Sequence, residues 1–263
     1  MGNHYYRRDG SPAYTVLSSS GKERSTTIAD ARKLHLCPSV TTVLGILEKP
    51  ALINWKMSEA VKAAMSLERG EWESDQDYIS RCITESGRAA KEAADIGGQI
   101  HDAIEKAFSG QDFDPQFRRH VNAVDRELSK LFPEVTDWIA EVGFGHPLGF
   151  GGRVDLHSPS TGIVVDWKTK SGSLDDGKRL AYDQVNQLSA YRLGLNLPRG
   201  NVCANVFVSR DVPGAVASHV WSSQEVDAAE DIFLLSLALW KAMKKYESGW
   251  HIETNHSQFE SLA

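Results

Sequence analysis

The sequence predicts a single α/β unit preceded by a helical arm. Two observations carry this. Apolar residues recur at helical spacing through much of residues 38–133, and from about 134 short β-branched runs alternate with Gly, Pro and Ser around one further helix. The composition agrees. With 41% apolar and 24% charged residues over 263 positions, the chain has the balance of an ordinary globular protein. That excludes wholesale disorder and collagen-like or low-complexity classes.

Residues 1–37 are polar and turn-rich, with Asp9-Gly10 and Ser11-Pro12 as turns and Tyr14–Leu17 as a short strand. Pro38 breaks the chain and Ser39 can cap a helix. Val43, Leu44, Leu47, Leu52, Trp55 and Val61 suggest helices from Val40 to Met65, interrupted at Pro50. A second helix is expected from about Asp77 to Phe108, ended by Ser109-Gly110, and a third from Phe117 to Leu131. Strands follow at Val135–Phe144, Gly151–His157 and Gly162–Lys168, then a helix at about Asp183–Leu195. Two more strands, Val202–Val208 and Ala215–Trp221, precede a last helix. That helix opens on the capping box Ser222-x-x-Glu225 and runs to about Tyr246. The tail beyond is polar.

Several classes are excluded. No apolar run approaches the roughly 18–20 residues of a membrane span. The first residues lack the apolar stretch of a secretory signal, and Tyr6 stands where a myristoylation motif needs Ser or Thr. The three cysteines, Cys37, Cys82 and Cys203, are far apart and form no CxxC. Buried thiols in a reducing cytoplasm are therefore expected, without disulfides, zinc or an iron–sulfur cluster. A net charge of −6 argues against a general polyanion coat but leaves room for a local basic groove.

The chemistry concentrates in Gly151-Gly152-Arg153-Val154-Asp155 and Val164-Val165-Asp166-Trp167-Lys168. Strand alternation puts Asp166 and Lys168 on one face and Trp167 on the other. Asp155 lies eleven residues before Asp166, which fits a hairpin that sets the carboxylates side by side. Adjacent carboxylates repel and call for a cation, and hard oxygen ligands favour Mg²⁺ or Mn²⁺. A lysine beside such an ion can position the water that attacks a phosphodiester. Asp-x-Lys alone would equally make a structural ion pair on an edge strand.

Two weaker signals accompany it. Gly97-Gly98 sits inside a predicted helix at about 1 kcal/mol per glycine, so something must approach that helix closely. His101 shares a face with Gly97 and is either a ligand or a partly buried structural histidine. Gln184, Gln187 and Tyr191 form one helical stripe, which either faces the site or is solvated.

Together, Gly97-x-x-x-His101, Glu141, Gly152-x-x-Asp155, Asp166-x-Lys168 and Gln187-x-x-x-Tyr191 resemble, in order, the PD-(D/E)xK nuclease superfamily in its RecB-like branch. The wording Val164–Lys170 with Gln187–Tyr191 is similar to phage-encoded and mitochondrial genome-maintenance exonucleases of that branch. Asp30–Leu34, Pro38–Leu44, Lys49–Leu52 and Trp55 extend the likeness to the phage enzymes. The resemblance implies a restriction-endonuclease-like core, a central mixed sheet flanked by helices, within a single nuclease domain. Its parts would be a turn-and-strand segment (1–37), a helical arm carrying His101 (38–133), the catalytic core (134–247) and the tail (248–263).

It further implies a metal-dependent DNA exonuclease acting in recombination, repair or replication, in the cytoplasm of a bacterium or phage-infected cell. One or two Mg²⁺ or Mn²⁺ ions would be held by His101, Asp155, Asp166 and the Trp167 carbonyl. Lys168 would activate water, Gln187 and Tyr191 would support, and Glu141 would bind a second ion or shape its strand. Relatives with a four-cysteine iron–sulfur cluster exist, but the cysteines are missing here. A single-strand annealing protein is the partner the resemblance suggests. Lys56, Arg118, Arg119, Lys170 and Arg192 are the candidate DNA contacts, with Lys62, Lys178 and Arg179 as further cations, each equally an ordinary surface charge. Trp55 is either a stacking residue or part of the core. A structure- or sequence-selective endonuclease, a non-catalytic DNA-binding module and an unrelated α/β protein remain the alternatives.

Overall fold

The computed structural model describes residues 4–47 and 50–250. In chain order the elements are β1 (Tyr5–Tyr6), β2 (Thr15–Leu17), β3 (Glu23–Ser25), α1 (Ile28–Lys33), β4 (Cys37–Pro38), α2 (Val40–Val43), α3 (Pro50–Ser66), α4 (Asp75–Phe108) and α5 (Arg118–Leu131). Then come β5 (Ile139–His146), β6 (Phe150–His157), β7 (Val164–Lys170), α6 (Gly177–Ala181), α7 (Val185–Gly194), β8 (Cys203–Ser209), β9 (Val216–Trp221) and α8 (Ser223–Lys244).

The central sheet has five strands in the order β5-β6-β7-β8-β9. All neighbours are antiparallel except β7 and β8, which run parallel and are joined through α6 and α7. A parallel pair needs such a crossover, and the intervening helices supply it. Apolar clusters cover both faces. One gathers Val154, Val164 and Phe207 with Leu188 of α7 and Phe233, Leu237 and Trp240 of α8. The other gathers Val165, Trp167 and Val206 with Ile100 and Ile104 of α4 and Val121, Val124 and Leu128 of α5. This mixed sheet flanked by helices is consistent with a restriction-endonuclease-like core. Among the described residues no helix is long and apolar enough to cross a membrane.

The predicted caps form: Ser39 caps α2, and Ser222 with Glu225 makes the capping box of α8. The three cysteines are buried and free. Some expectations need correction. The strand predicted from Val135 begins at Ile139, because Asp137 is held by Ser158 and Ser160 outside the sheet. The segment 1–37 contains more than one short strand. Tyr5, Ala13, Ala31 and Leu36 pack into the core with Val40, Val43 and Leu44. Trp55 is exposed on α3 rather than part of the core. Of the polar tail, residues 251–263 lie outside the described residues.

Arg192, sought as a DNA contact, is 0% exposed. It points into the sheet-side layer, where its guanidinium meets Asp227 at 2.5 Å and Glu230 at 3.3 Å on α8. A buried guanidinium survives only with such partners, and its loss strands their charges. Arg192→Met should lower the unfolding free energy by about 3 kcal/mol in urea titration, the range for breaking a buried ion pair.

Candidate active site

The site begins where β6 and β7 part. Their ladder pairs His157 with Val164 and Leu156 with Val165. The next pair in that register would be Asp155 and Asp166, as the eleven-residue spacing predicts. There the ladder stops, and the Trp167 N–H donates instead to Asp155 Oδ2 at 3.0 Å. Side-chain alternation along β6 also breaks at Asp155. Val154 packs in the α7–α8 layer and Leu156 in the α4–α5 layer. Across from it, Glu141 has φ +56, the left-handed region that non-glycine residues rarely occupy. The opening turns the Asp155 carboxylate out of the sheet.

The helix α4 lies over this gap. His101 Nε2 is 3.2 Å from Asp155 Oδ1, and His101 Nδ1 is 3.8 Å from Glu141 Oε1. The approach depends on Gly97: a Cβ there would fall inside 3.0 Å of Thr169 Oγ1 on β7. Gly98 explains nothing of the kind, since a Cβ there meets nothing within 4 Å. His101, Glu141 and Asp155 bring one ligand atom each to within 4.8 Å of one another. Glu141 Oε1 is buried and accepts no hydrogen bond among the described residues, whereas Oε2 is paired with Arg153. Arg153 also holds Glu105 of α4 at 2.6 Å. A half-buried imidazole, two carboxylates and an unsatisfied oxygen fit a divalent ion, and these three side chains could hold one.

Asp166 is not one of the three. It is buried on the opposite face of β7, as alternation requires, and Lys168 Nζ lies 2.6 Å from its Oδ1. Gln187 Nε2 donates to the same oxygen at 2.9 Å and to Tyr191 Oη at 2.8 Å. The stripe on α7 therefore faces the site. Gly152 makes room for it, because a Cβ there would come within 2.9 Å of the Tyr191 ring. The second oxygen of Asp166 accepts from Asn205 Nδ2 at 3.1 Å, and Asn205 Oδ1 accepts from Trp221 Nε1 at 2.9 Å. No sequence pattern assigns a role to Asn205, Trp221 or Arg153. The signal the sequence holds is a lone Asn inside the apolar run Cys203–Val208, where a buried polar side chain needs partners.

Charge crowding shows in the protonation equilibria. Burial, reinforced by the Asp155 carboxylate, pushes Glu141 up to about 7 against the pull of Arg153 and His101. Burial raises Asp166 too, opposed by Lys168 and reinforced by Asp155. Burial alone would lower His101, but its hydrogen bond to Asp155 and the surrounding carboxylates raise it. Lys168 is likewise raised, its loss of solvation outweighed by Asp166 and Asp155. Burial holds the Tyr191 phenol well above its usual range, so it stays protonated.

Of the cations sought for DNA, Lys170 ends β7 and is partly buried, held below its usual range by burial and by Lys168 and Arg210. Lys56, Arg118 and Arg119 are exposed on α3 and at the start of α5. Lys62, Lys178 and Arg179 are exposed as well.

No family model matches the chain, and no curated protein matches it. Solved structures are similar at a low level, two of them as follows. SSO0001 aligns with a TM-score of 0.27 and 14% identity, over 70% of this chain and 86% of that one. A phage-related exonuclease from Haemophilus somnus 129PT aligns with a TM-score of 0.24 and 14% identity, over 71% and 94%.

The adjacent glycines of α4 should respond in opposite directions. Gly97→Ala sets a methyl against the Thr169 hydroxyl, so that side chain or the helix must shift, and should cost about 1–3 kcal/mol. Gly98→Ala should gain about 0.5–1 kcal/mol from helix propensity alone. Urea unfolding of both variants checks this. Between pH 4.5 and about 7 the folded, metal-free protein keeps a proton on Glu141 that the unfolded chain has released. Its contribution to stability is present at the acid end and is lost as pH rises through about 7. An ion that binds here must displace that proton. Mn²⁺ affinity by calorimetry should therefore climb from pH 6 to 8, with more proton release at pH 6.

Proposed function

We propose that this protein is a Mg²⁺- or Mn²⁺-dependent DNA exonuclease that hydrolyses phosphodiester bonds with water. The observation that carries the reading is the Lys168 ammonium, 2.6 Å from buried Asp166 and within electrostatic reach of Asp155, which belongs to the His101–Glu141–Asp155 group. A cation fixed beside a candidate metal site suits attack on a phosphodiester better than it suits a structural ion pair, which needs no third and fourth acidic or imidazole group.

In this reading His101, Asp155 and Glu141 hold the ion, with Asp166 and the Trp167 carbonyl adjacent to it. Such an ion, when bound, polarises the phosphate and makes water a stronger acid. Lys168, partly exposed, orients the attacking water and offsets the charge that gathers on the phosphate oxygens in the transition state. Asp166 keeps Lys168 in place and is itself fixed from two sides, by Gln187 and by Asn205. Gln187 donates to Tyr191 Oη, which leaves the phenol proton free to reach a phosphate oxygen or the water. Asp155 does two jobs, accepting from the Trp167 N–H through Oδ2 and facing His101 through Oδ1.

Lys170 extends the positive charge along β7 beyond Lys168, and Arg210 joins it there, donating to the Thr169 carbonyl and the Ser171 hydroxyl. The DNA backbone would follow this edge, with Lys56, Arg118 and Arg119 as outlying contacts. The role proposed is phage-type recombination, repair or replication in the cytoplasm, beside a single-strand annealing protein.

The test is a panel of end-labelled linear single-stranded DNA, linear duplex, closed circles and RNA, incubated with Mg²⁺ or Mn²⁺. Linear DNA should disappear while circles persist, and Lys168→Ala should slow the loss at least about 100-fold without changing Mn²⁺ binding. Cutting of circles would make the enzyme an endonuclease. Bound ion with no cleavage of any substrate would make it a binding module.

A further inference from the structure

Glu105 is an acidic side chain beside the candidate ion site that the reading above leaves without a task. It stands on α4 one turn after His101, so the helix carries both on one face. Its Oε1 accepts from Arg153 Nη2 at 2.6 Å, and Arg153 Nε is paired with Oε2 of Glu141. One guanidinium on β6 therefore joins a carboxylate of α4 to a carboxylate of β5, two residues before Asp155. Metal-dependent nucleases that use two ions hold them about 3.5–4 Å apart between carboxylates. Here the link between the two glutamates is made by Arg153.

The other flank is closed in the same way. Oδ1 of Asp166 accepts from Lys168 Nζ and Gln187 Nε2, and Oδ2 accepts from Asn205 Nδ2. Side-chain cations thus stand on both sides of the His101–Glu141–Asp155 group. The charges agree with this. With His101 neutral, the carboxylates of Glu105, Glu141, Asp155 and Asp166 exceed the cations Arg153 and Lys168 by two charges, which one divalent ion cancels. A second ion would leave two positive charges uncompensated before any substrate arrives, and uncompensated charge away from water is costly. A guanidinium stays charged at any working pH, so its hold on the two glutamates does not lapse. The oxygen it leaves over is Glu141 Oε1, buried, without a hydrogen bond among the described residues and 3.8 Å from His101 Nδ1.

We infer that Arg153 takes the place of a second metal ion, so that the centre binds a single divalent cation through His101, Asp155 and the free oxygen of Glu141. The inference rests on the metal-dependent reading proposed above. Arg153 is a positioning residue in it: the guanidinium fixes Glu141 by one oxygen and leaves the other to the ion.

Calorimetry and electron paramagnetic resonance of the full chain with Mn²⁺ count the ions. The wild type should take up one Mn²⁺ per chain, both alone and with a phosphorothioate DNA strand that resists hydrolysis. Arg153→Met frees Glu105 and the second oxygen of Glu141, and should take up two, with the broadened spectrum of a close Mn²⁺ pair. Arg153→Lys keeps a cation there and should stay at one. Adding Glu105→Gln to Arg153→Met should return the count to one. Two ions in the wild type under either condition, or one ion in a folded Arg153→Met chain, overturns the inference and leaves the nuclease reading standing. No bound Mn²⁺ at all removes the metal-dependent reading and the inference with it. Should Arg153→Met not fold, Glu105→Gln in the otherwise native chain carries the test. It should still bind one Mn²⁺, whereas loss of the ion would make Glu105 a ligand and overturn the inference.

Discussion

The β6–β7 ladder stops one pair short, and the rest of the site follows from that interruption. Had the pairing continued, Asp155 and Asp166 would face each other across a closed sheet with no route to a ligand. Instead the Trp167 N–H finds its acceptor in the Asp155 side chain. A backbone donor that loses its strand partner must be satisfied from elsewhere, and a carboxylate does this well. The same substitution orients Asp155 toward α4 and leaves Asp166 on the α7 side. One strand, β7, therefore serves two layers at once, with Trp167 packed against Phe108 on one face and Asp166 with Lys168 on the other.

Opening the sheet creates an electrostatic problem. Glu141, Asp155 and Asp166 are close together and largely removed from water, with His101, Lys168 and Arg153 as the counter-charges. Arg153 neutralises one oxygen of Glu141 and ties β6 to Glu105 of α4, leaving the other oxygen without a hydrogen bond. Without an ion, the cheapest way to reduce repulsion is to keep a proton, and Glu141 does so up to about 7. The left-handed backbone at Glu141 belongs to the same picture. Strain of this kind persists only where surrounding contacts hold it, here the Arg153 pair and the neighbouring ladder on both sides of the gap.

How much of this could be read from the sequence depends on distance along the chain. The Asp155–Asp166 juxtaposition was legible because a hairpin fixes register by counting residues. Asp166 and Lys168 on one face followed from alternation alone. The close approach of α4 was legible as a cost, two glycines inside a helix, but the sequence could not say that only Gly97 is needed. Glu141 could be noted but not placed, since its role depends on the arrival of α4 from forty residues away. Asn205 escaped because its value lies in register across the parallel β7–β8 pair, which no local pattern encodes, and Trp221 because it acts only through Asn205, from the antiparallel strand β9. Arg192 is buried, contrary to expectation, for a related reason. A cation in the last turn of a helix usually reaches solvent, and only the packing of α8 supplied the acids that bury it.

The N-terminal residues show why a polar composition misleads. Tyr5 and Tyr6 are isolated aromatics among charged neighbours, and nothing periodic marks them. They are buried because β1 pairs with β4 and Ser39 bridges to Gly151, so the chain start is laid against β6. The Tyr6 phenol, bonded to that of Tyr14 at 2.5 Å, sits within electrostatic reach of Arg153 and Glu141. The glycines of β6 serve both ends of this arrangement. Gly151 admits the Tyr6 side chain from one side, and Gly152 admits the Tyr191 ring. The Gly-Gly step before Asp155 is thus a packing requirement set by Phe144 of β5 together with two tyrosines, one from the first residues of the chain and one from α7. Enlarging either glycine would disturb the strand that carries Asp155, so the position of that carboxylate depends on elements far from it in sequence.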